Sequence, residues 1–157
     1  MNKRIILVGP SAAGKNFIRQ KFIEKGFSFD VSYTTRKPRN GEINGIDYIF
    51  ISDEEFTRKI NENFFYEWVN YGENKYGTGK YEFENKDIFI METEAINNLK
   101  PEDRINSLVI FVNTPEHIRI ERMKERGWNE EKIQERIKID KEKFENFTNF
   151  DLQISSV

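Results

Sequence analysis

The chain of 157 residues suits one domain and leaves little room for two. Its 25 Lys plus Arg against 27 Asp plus Glu give a net charge of -2, which excludes a generally basic nucleic-acid coat but not a local anion site. It has no cysteine and one histidine, His117, so disulfide scaffolds, thiolate chemistry and multi-histidine metal sites are excluded, while 14 Phe still suffice for a core.

From Met1 the chain runs straight into Ile5-Ile6-Leu7-Val8, a buried-type strand too short for a signal-peptide core. The loop Gly9 to Gly14 follows, and a helix is predicted from Lys15 to about Lys25, with Phe17, Ile18, Phe22 and Ile23 at helical spacing and Gly26 as its stop. Phe27 to Tyr33 alternates like a strand, Thr34 to Gly45 is a basic, turn-rich loop, and Tyr48 to Ile51 is a short strand. Ser52-Asp53-Glu54-Glu55 is a capping box opening a helix to about Asn61. Phe64 to Val69 reads as a strand, Gly72 to Gly79 as a loop, and Tyr81 to Glu84 as another short strand.

Asp87 to Met91 is a buried-type strand, followed by a weak helix near Glu94 to Leu99, and Leu108 to Val112 is a core strand. Thr114 caps a helix with Pro115 as its first residue, which runs to Arg126 before Gly127. Asn129 caps a second helix with Glu130 and Glu131 in its first turn and Ile133, Ile137 and Phe144 inside, and Leu152 to Ile154 forms a last strand. Strands alternating with helices predict an α/β fold around a mainly parallel sheet flanked by helices. No apolar run approaches the roughly 20 residues that span a bilayer. The expectation is a soluble cytoplasmic protein with no membrane and no nucleic-acid partner; nothing in the sequence sets an oligomeric state.

Gly9-Pro10-Ser11-Ala12-Ala13-Gly14-Lys15-Asn16 fits G-x-x-x-x-G-K between a buried strand and an amphipathic helix. Successive backbone N–H groups in such a loop form a concave nest, and the helix start adds its positive dipole end, so a nucleotide triphosphate is the expected ligand. Lys15 would place a point charge on the β and γ phosphates. Asn16 stands where Ser or Thr normally ligates Mg²⁺; its carboxamide oxygen suits that ion directly or through water.

The stretch from Val31 to Tyr48 carries Arg36, Lys37 and Arg39 among several hydroxyls. On charge alone it is either a phosphate seat or a solvated basic loop. The run S-x-x-T-T-R-x-P-R-x-G-E-x-x-G-x-D-Y from Ser32 to Tyr48 resembles guanylate kinases, as do the loop Gly9 to Lys15, the later Glu67-Trp68 and Tyr76-Gly77-Thr78, and the Arg122 to Arg136 segment.

The resemblance implies a P-loop kinase core at about 1–31 and 86–157, a small α+β insertion at about 32–85 that binds the nucleoside monophosphate, and a helical lid at about 115–136. It implies phosphoryl transfer from ATP, with Mg²⁺, to GMP or dGMP. Ser32, Arg36, Arg39, Tyr48 and Tyr76 would hold the acceptor phosphate. Glu67 and Thr78, beside Gly77, would read the guanine edge. A carboxylate accepts from N1–H and the 2-amino group, and a hydroxyl can donate to O6. Arg122, Arg126 and Arg136 would close with the lid over the transferring group; without the resemblance they read as solvated charge, and Glu67 as an exposed strand residue. His117 has no matching role and is expected at the surface.

The sequence departs from the family at Asn16, at Met91 to Glu94 and at its end. The Ile88 to Glu94 strand lacks the family's two aspartates and Q-G pair, with Glu92 or Thr93 at the position that assists guanine recognition or metal organisation. The segment between Thr78 and Asp87 is short, leaving Gly79 to Glu84 for the helix expected there. Ser155-Ser156-Val157 do not reproduce the Asn-Asp pair near the donor adenine, and the chain stops at Val157, before the family's last helix. These departures leave two alternatives to a guanylate kinase: a non-catalytic binding module that uses the acceptor site for a phosphorylated partner, and a kinase for another nucleoside monophosphate.

Overall fold

The computed structural model describes residues 4–156; Met1 and Val157 lie outside the described residues. In chain order the elements are β1 (Arg4–Val8), α1 (Lys15–Glu24), β2 (Tyr33–Thr34), β3 (Ile49–Phe50), α2 (Asp53–Asn61), β4 (Phe65–Tyr71) and β5 (Asn74–Gly79). There follow α3 (Lys80–Asn85), β6 (Ile88–Ile90), α4 (Thr93–Asn97), α5 (Pro101–Ile105), β7 (Ser107–Val112), α6 (Glu116–Glu125), α7 (Glu130–Phe144) and β8 (Leu152–Ile154). The chain divides into two compact units. One ends at Phe27 and resumes at Ile88; the other is Ser28–Asp87.

The first unit is built on a parallel sheet in the order β6-β1-β7-β8. Its two central strands are apolar almost without interruption because both faces are covered: Ile6, Leu7, Val8, Val109 and Val112 are fully buried. Edge strand β8 has exposed Leu152 and Ile154. Phe111 stacks on Phe144 with ring centroids 5.4 Å apart, and Phe147 and Phe150 close on the same ring, anchoring the end of α7 to β7. Asn129 caps α7 as its sequence predicts, its side chain accepting from the Lys132 amide at 2.8 Å. Ala12, Met123, Ile133 and Ile137 form a buried cluster that fixes α6 and α7 against the loop after β1.

The second unit has a sheet in the order β3-β2-β5-β4, with β2 parallel to β3 and antiparallel to β5. Its core is aromatic: Phe56 stacks on Phe65 at 4.5 Å, and Phe64 meets Phe65 edge-on at 5.3 Å. Ser52 caps α2 by accepting from the Glu55 amide at 3.1 Å. Where the chain enters and leaves this unit, the Ser28 amide and hydroxyl both donate to the Asp87 carboxylate at 2.8 Å.

Several local expectations are corrected. Phe27 to Tyr33 is not a strand along its length; only Tyr33–Thr34 pairs. Gly72 to Gly79 is not a loop: Asn74–Gly79 forms a hairpin with β4, and its small residues fit beneath rings, since a Cβ on Gly77 would lie 2.8 Å from Phe65. Tyr81 to Glu84 is helical within α3 rather than extended, and Pro101–Ile105 adds a short helix that periodicity did not mark. Pro115, not Thr114, is the cap residue of α6, because the Thr114 hydroxyl donates instead to the Ala13 carbonyl at 2.7 Å. Phe17 is 62% exposed, outside the apolar face its spacing suggested. His117 is exposed, as expected. No helix among the described residues is long and apolar enough to cross a membrane.

Candidate active site

Two clusters of the expected site residues form, one in each unit. In the first unit the loop from Gly9 to Asn16 turns sharply between β1 and α1. Ala13 donates to the Pro10 carbonyl at 3.2 Å, and Ala12 and Gly14 both take left-handed backbone angles, φ 60 and φ 97. That alternation builds the concave nest the motif implies. Gly9 is required for packing, because a Cβ there would lie 2.4 Å from the Val112 carbonyl oxygen of β7. Gly14 is required twice over: its angle suits glycine, and a Cβ would meet the Ser156 hydroxyl at 2.3 Å.

Lys15 opens α1 and folds back on the loop, where its ammonium donates to the Gly9 carbonyl and, at 3.0 Å, to the Pro10 carbonyl. Burial pushes its pKa below the ordinary 10.5, and the charges of Glu92 and Asp140 offset part of that while Arg126 and Arg119 add to it. A triphosphate arriving at this ammonium meets a cation that already lacks full hydration. Asn16, next in α1, is exposed to solvent.

The arginines expected in a lid divide by position. Arg122 is bound to the loop itself: its guanidinium donates to the Ala12 carbonyl at 3.0 Å and to the Ser156 carbonyl. The Ser156 amide in turn donates to the Thr114 hydroxyl at 3.1 Å. Arg126, at the end of α6, is exposed yet close enough to act on the Lys15 charge. Arg136 packs its guanidinium 5.7 Å from the Trp128 ring centroid. Glu92, rather than buried Thr93, shares the field of Lys15, and it pairs with Lys143 at 3.2 Å.

In the second unit Arg36 is held by a bidentate pair with Glu42, at 2.7 and 2.9 Å, and lies over the Tyr48 ring at 5.3 Å. Burial works against its charge, but Glu42 and Tyr76 outweigh that and hold the guanidinium above its ordinary range. Burial likewise opposes the Glu42 charge, and bonds from Arg36 and the Arg39 amide overcome it, leaving that carboxyl below its ordinary 4.5. The Arg39 amide donates to Glu42 at 2.6 Å. Tyr48 and Tyr76 approach edge-on at 5.9 Å, and Ser32 donates to buried Asp30 at 2.6 Å. Glu67 on β4 and Thr78 on β5 are register partners, and the buried Thr78 hydroxyl donates to Glu67 at 2.8 Å. That proton is therefore directed at the carboxylate rather than outward, and donation to a guanine O6 requires the hydroxyl to rotate.

Sequence reading gave no site role to Glu42 or Asp140, and gave Thr114 only that of a helix cap. Glu42 was visible as one acid in a basic loop; Thr114 and Asp140 act across 101 and 129 residues of separation, which no local pattern marks.

Chemically, the first unit offers a loop of amides and several cations to a polyphosphate, and the second offers a basic, aromatic-walled seat beside a carboxylate and hydroxyl pair. No group of three or more His, Cys, Asp or Glu able to cage a metal occurs among the described residues. Oxygen donors suited to Mg²⁺ are nevertheless near Lys15, at Asn16 and Glu92, which fits an ion carried mainly by phosphates and water.

A family model described as guanylate kinase matches residues 1–156. The guanylate kinase of Onion yellows phytoplasma (strain OY-M) is 37% identical over 144 residues, covering 83% of this chain and 68% of its own. That of Mycoplasmopsis pulmonis (strain UAB CTIP) is 36% identical over 167 residues, covering 97% and 85%. A crystal structure of guanylate kinase from Anaplasma phagocytophilum superposes with a TM-score of 0.78 at 22% identity, covering 99% of this chain and 77% of that one, a likeness of fold.

Proposed function

The chain belongs to the guanylate kinase family, and from that premise we propose that it transfers the γ-phosphoryl group of ATP to GMP, giving ADP and GDP. The family match over residues 1–156 carries the reading. The gathering of Lys15, Arg122 and Arg126 about one phosphate loop supports the donor half. The Glu67–Thr78 pair supports guanine as the acceptor base. Nucleotide substrates support a cytoplasmic location.

The reaction asks little covalent chemistry of the protein. The acceptor is a phosphate oxygen already ionised at neutral pH, so no general base is needed, and positioning with electrostatics supplies the catalysis. Lys15 exchanges its loop carbonyls for β- and γ-phosphate oxygens, and the loop amides donate to the same group. Arg122 has five donors and uses two on carbonyls, which leaves capacity for a phosphate oxygen. Arg126 and Arg136 complete the charge around the transferring group. Mg²⁺, when bound, neutralises charge on the β and γ phosphates, and Asn16 and Glu92 are the side chains that would hold it. At the acceptor, Arg36 and Arg39 hold the GMP phosphate beside Tyr48, Tyr76 and Ser32. Glu67 accepts from guanine N1–H and its 2-amino group; adenine lacks that pair of donors and leaves the carboxylate unsatisfied.

The test is ADP release with Mg²⁺·ATP and each of GMP, dGMP, AMP, CMP and UMP. Turnover with GMP or dGMP well above the others is expected. An absence of turnover with all five overturns the kinase reading, and calorimetry that finds GMP binding without ATP binding replaces it with a binding module.

A further inference from the structure

One buried carboxylate in the first unit acts on the Lys15 charge but has no further part in the chemistry above. Asp140 lies on α7, four residues past Arg136 and thus on the same face, and is 3% exposed. Its Oδ2 accepts from the Ser11 amide at 3.0 Å and lies 3.5 Å from Nη1 of Arg119, while its Oδ1 lies 3.5 Å from the Ser11 hydroxyl. Arg119, itself buried, donates through Nε to the Thr114 carbonyl at 3.2 Å and approaches the Ser11 carbonyl at 3.5 Å. One turn further along α7, Lys143 pairs with Glu92.

A buried negative charge beside a loop built for anions needs a reason, since both its desolvation and its repulsion of a triphosphate are unfavourable. Arg119 offsets the charge. What remains is geometry: the carboxylate takes the Ser11 N–H from inside the fold, and the Thr114 hydroxyl takes up the Ala13 carbonyl. The two ends of the loop's crown are thereby fixed by side chains from α7 and from the segment after β7. A loop shaped before its ligand arrives loses less conformational freedom on binding.

We propose that Asp140 is a positioning residue for the donor site, holding the Ser11 end of the phosphate loop in its binding shape from α7. The proposal rests on the kinase reading for the identity of the ligand, ATP, but the link itself does not. Asp140→Ala removes the acceptor. Asp140→Asn keeps it, since the carboxamide oxygen can accept from the Ser11 amide and its NH₂ can donate to the Ser11 hydroxyl, while the ion pair with Arg119 is lost.

The expected result for Asp140→Ala is a rise of about five- to tenfold in the KM for ATP, with the KM for GMP within about twofold of wild type. Asp140→Asn should recover most of that loss. Hydrogen exchange at the Ser11 amide, measured without nucleotide, should be slow in wild type and Asp140→Asn and about tenfold faster or more in Asp140→Ala. If Asp140→Ala does not fold, Asp140→Ser, whose shorter side chain cannot reach Ser11, takes its place. An unchanged KM for ATP, unchanged Ser11 exchange, or an Asp140→Asn as impaired as Asp140→Ala with both substrate KM values rising together overturns the proposal. A wild-type protein that fails to phosphorylate GMP sinks only the family activity, because exchange and ATP calorimetry still read the link.

Discussion

Arg36 shows how a side chain's partner changes its meaning. As a letter in a basic loop it is either solvent-facing or ligand-facing. Paired in two bonds with Glu42 and laid over Tyr48, it is a fixed guanidinium with a defined plane. Lys15 is the opposite case, a cation whose bonds are to loop carbonyls that a phosphate can replace. Its substitution by Met keeps the length and removes the charge. The kcat with ATP and GMP should fall about 10²- to 10³-fold, with GMP affinity by calorimetry within about twofold of wild type. Glu67→Gln exchanges one acceptor for a donor facing the guanine 2-amino side. The kcat/KM for GMP should drop about tenfold to 10²-fold, measured by GMP-dependent ADP release, with the KM for ATP unchanged. Gly14→Ala combines a left-handed angle with a collision at Ser156, so a loss of about 1–2 kcal/mol in urea unfolding is expected, together with weaker ATP binding.

At the scale of elements, those with their own chemical punctuation were readable in advance. The α2 and α7 starts followed from Ser52 and Asn129, and in both the cap side chain accepts from an amide three residues on. Replacing Asn129 by Ala should lower stability by about 1 kcal/mol in urea unfolding, since it leaves an N–H at the helix start without its acceptor. Two of the misjudged elements, β5 and α3, lacked such marks. In β5, Asn74, Lys75, Gly77 and Gly79 are poor strand formers and outnumber Tyr76 and Thr78, and pairing with β4 plus the need for a small residue at Gly77 under Phe65 decided its form. In α3, Tyr81 and Phe83 alternate as in a strand, yet only Phe83 is buried, against Tyr66 at 3.6 Å, and the stretch is helical. Phe17 sits at a helical position that the spacing marked as inward, yet in α1 it is exposed.

For the whole molecule, ionisation links the fold to pH. Glu42 and Asp151 both hold their protons more weakly when folded, Asp151 because bonds from Arg104 and the Val109 amide outweigh its desolvation. As pH falls the unfolded chain takes up these protons first. The stabilisation is therefore complete above the ordinary values of 4.5 and 3.8 and is lost as pH drops through the lower folded values. The urea midpoint should fall between about pH 6 and pH 3, and Glu42→Gln with Asp151→Asn should flatten that dependence. A midpoint that stays constant over the range, or a slope unchanged in the double variant, contradicts this. Lys15 acts at the other extreme: its folded pKa lies below 10.5, so the folded chain holds fewer protons there and the penalty for its charge is relieved as pH rises through that window.

The sequence by itself determined the β1-loop-α1 motif, the capped helices, the parallel core strands and the resemblance that names most of the site, because each is written in neighbouring residues whose backbone preferences and spacing act locally. Only the tertiary structure decided that Arg36 is clasped by Glu42, that Thr78 gives its proton to Glu67, that Arg122 grips the loop through Ala12, and that Asp140 reaches Ser11. Those choices depend on which polar groups lose water together, and burial is a property of the folded chain rather than of any segment of it.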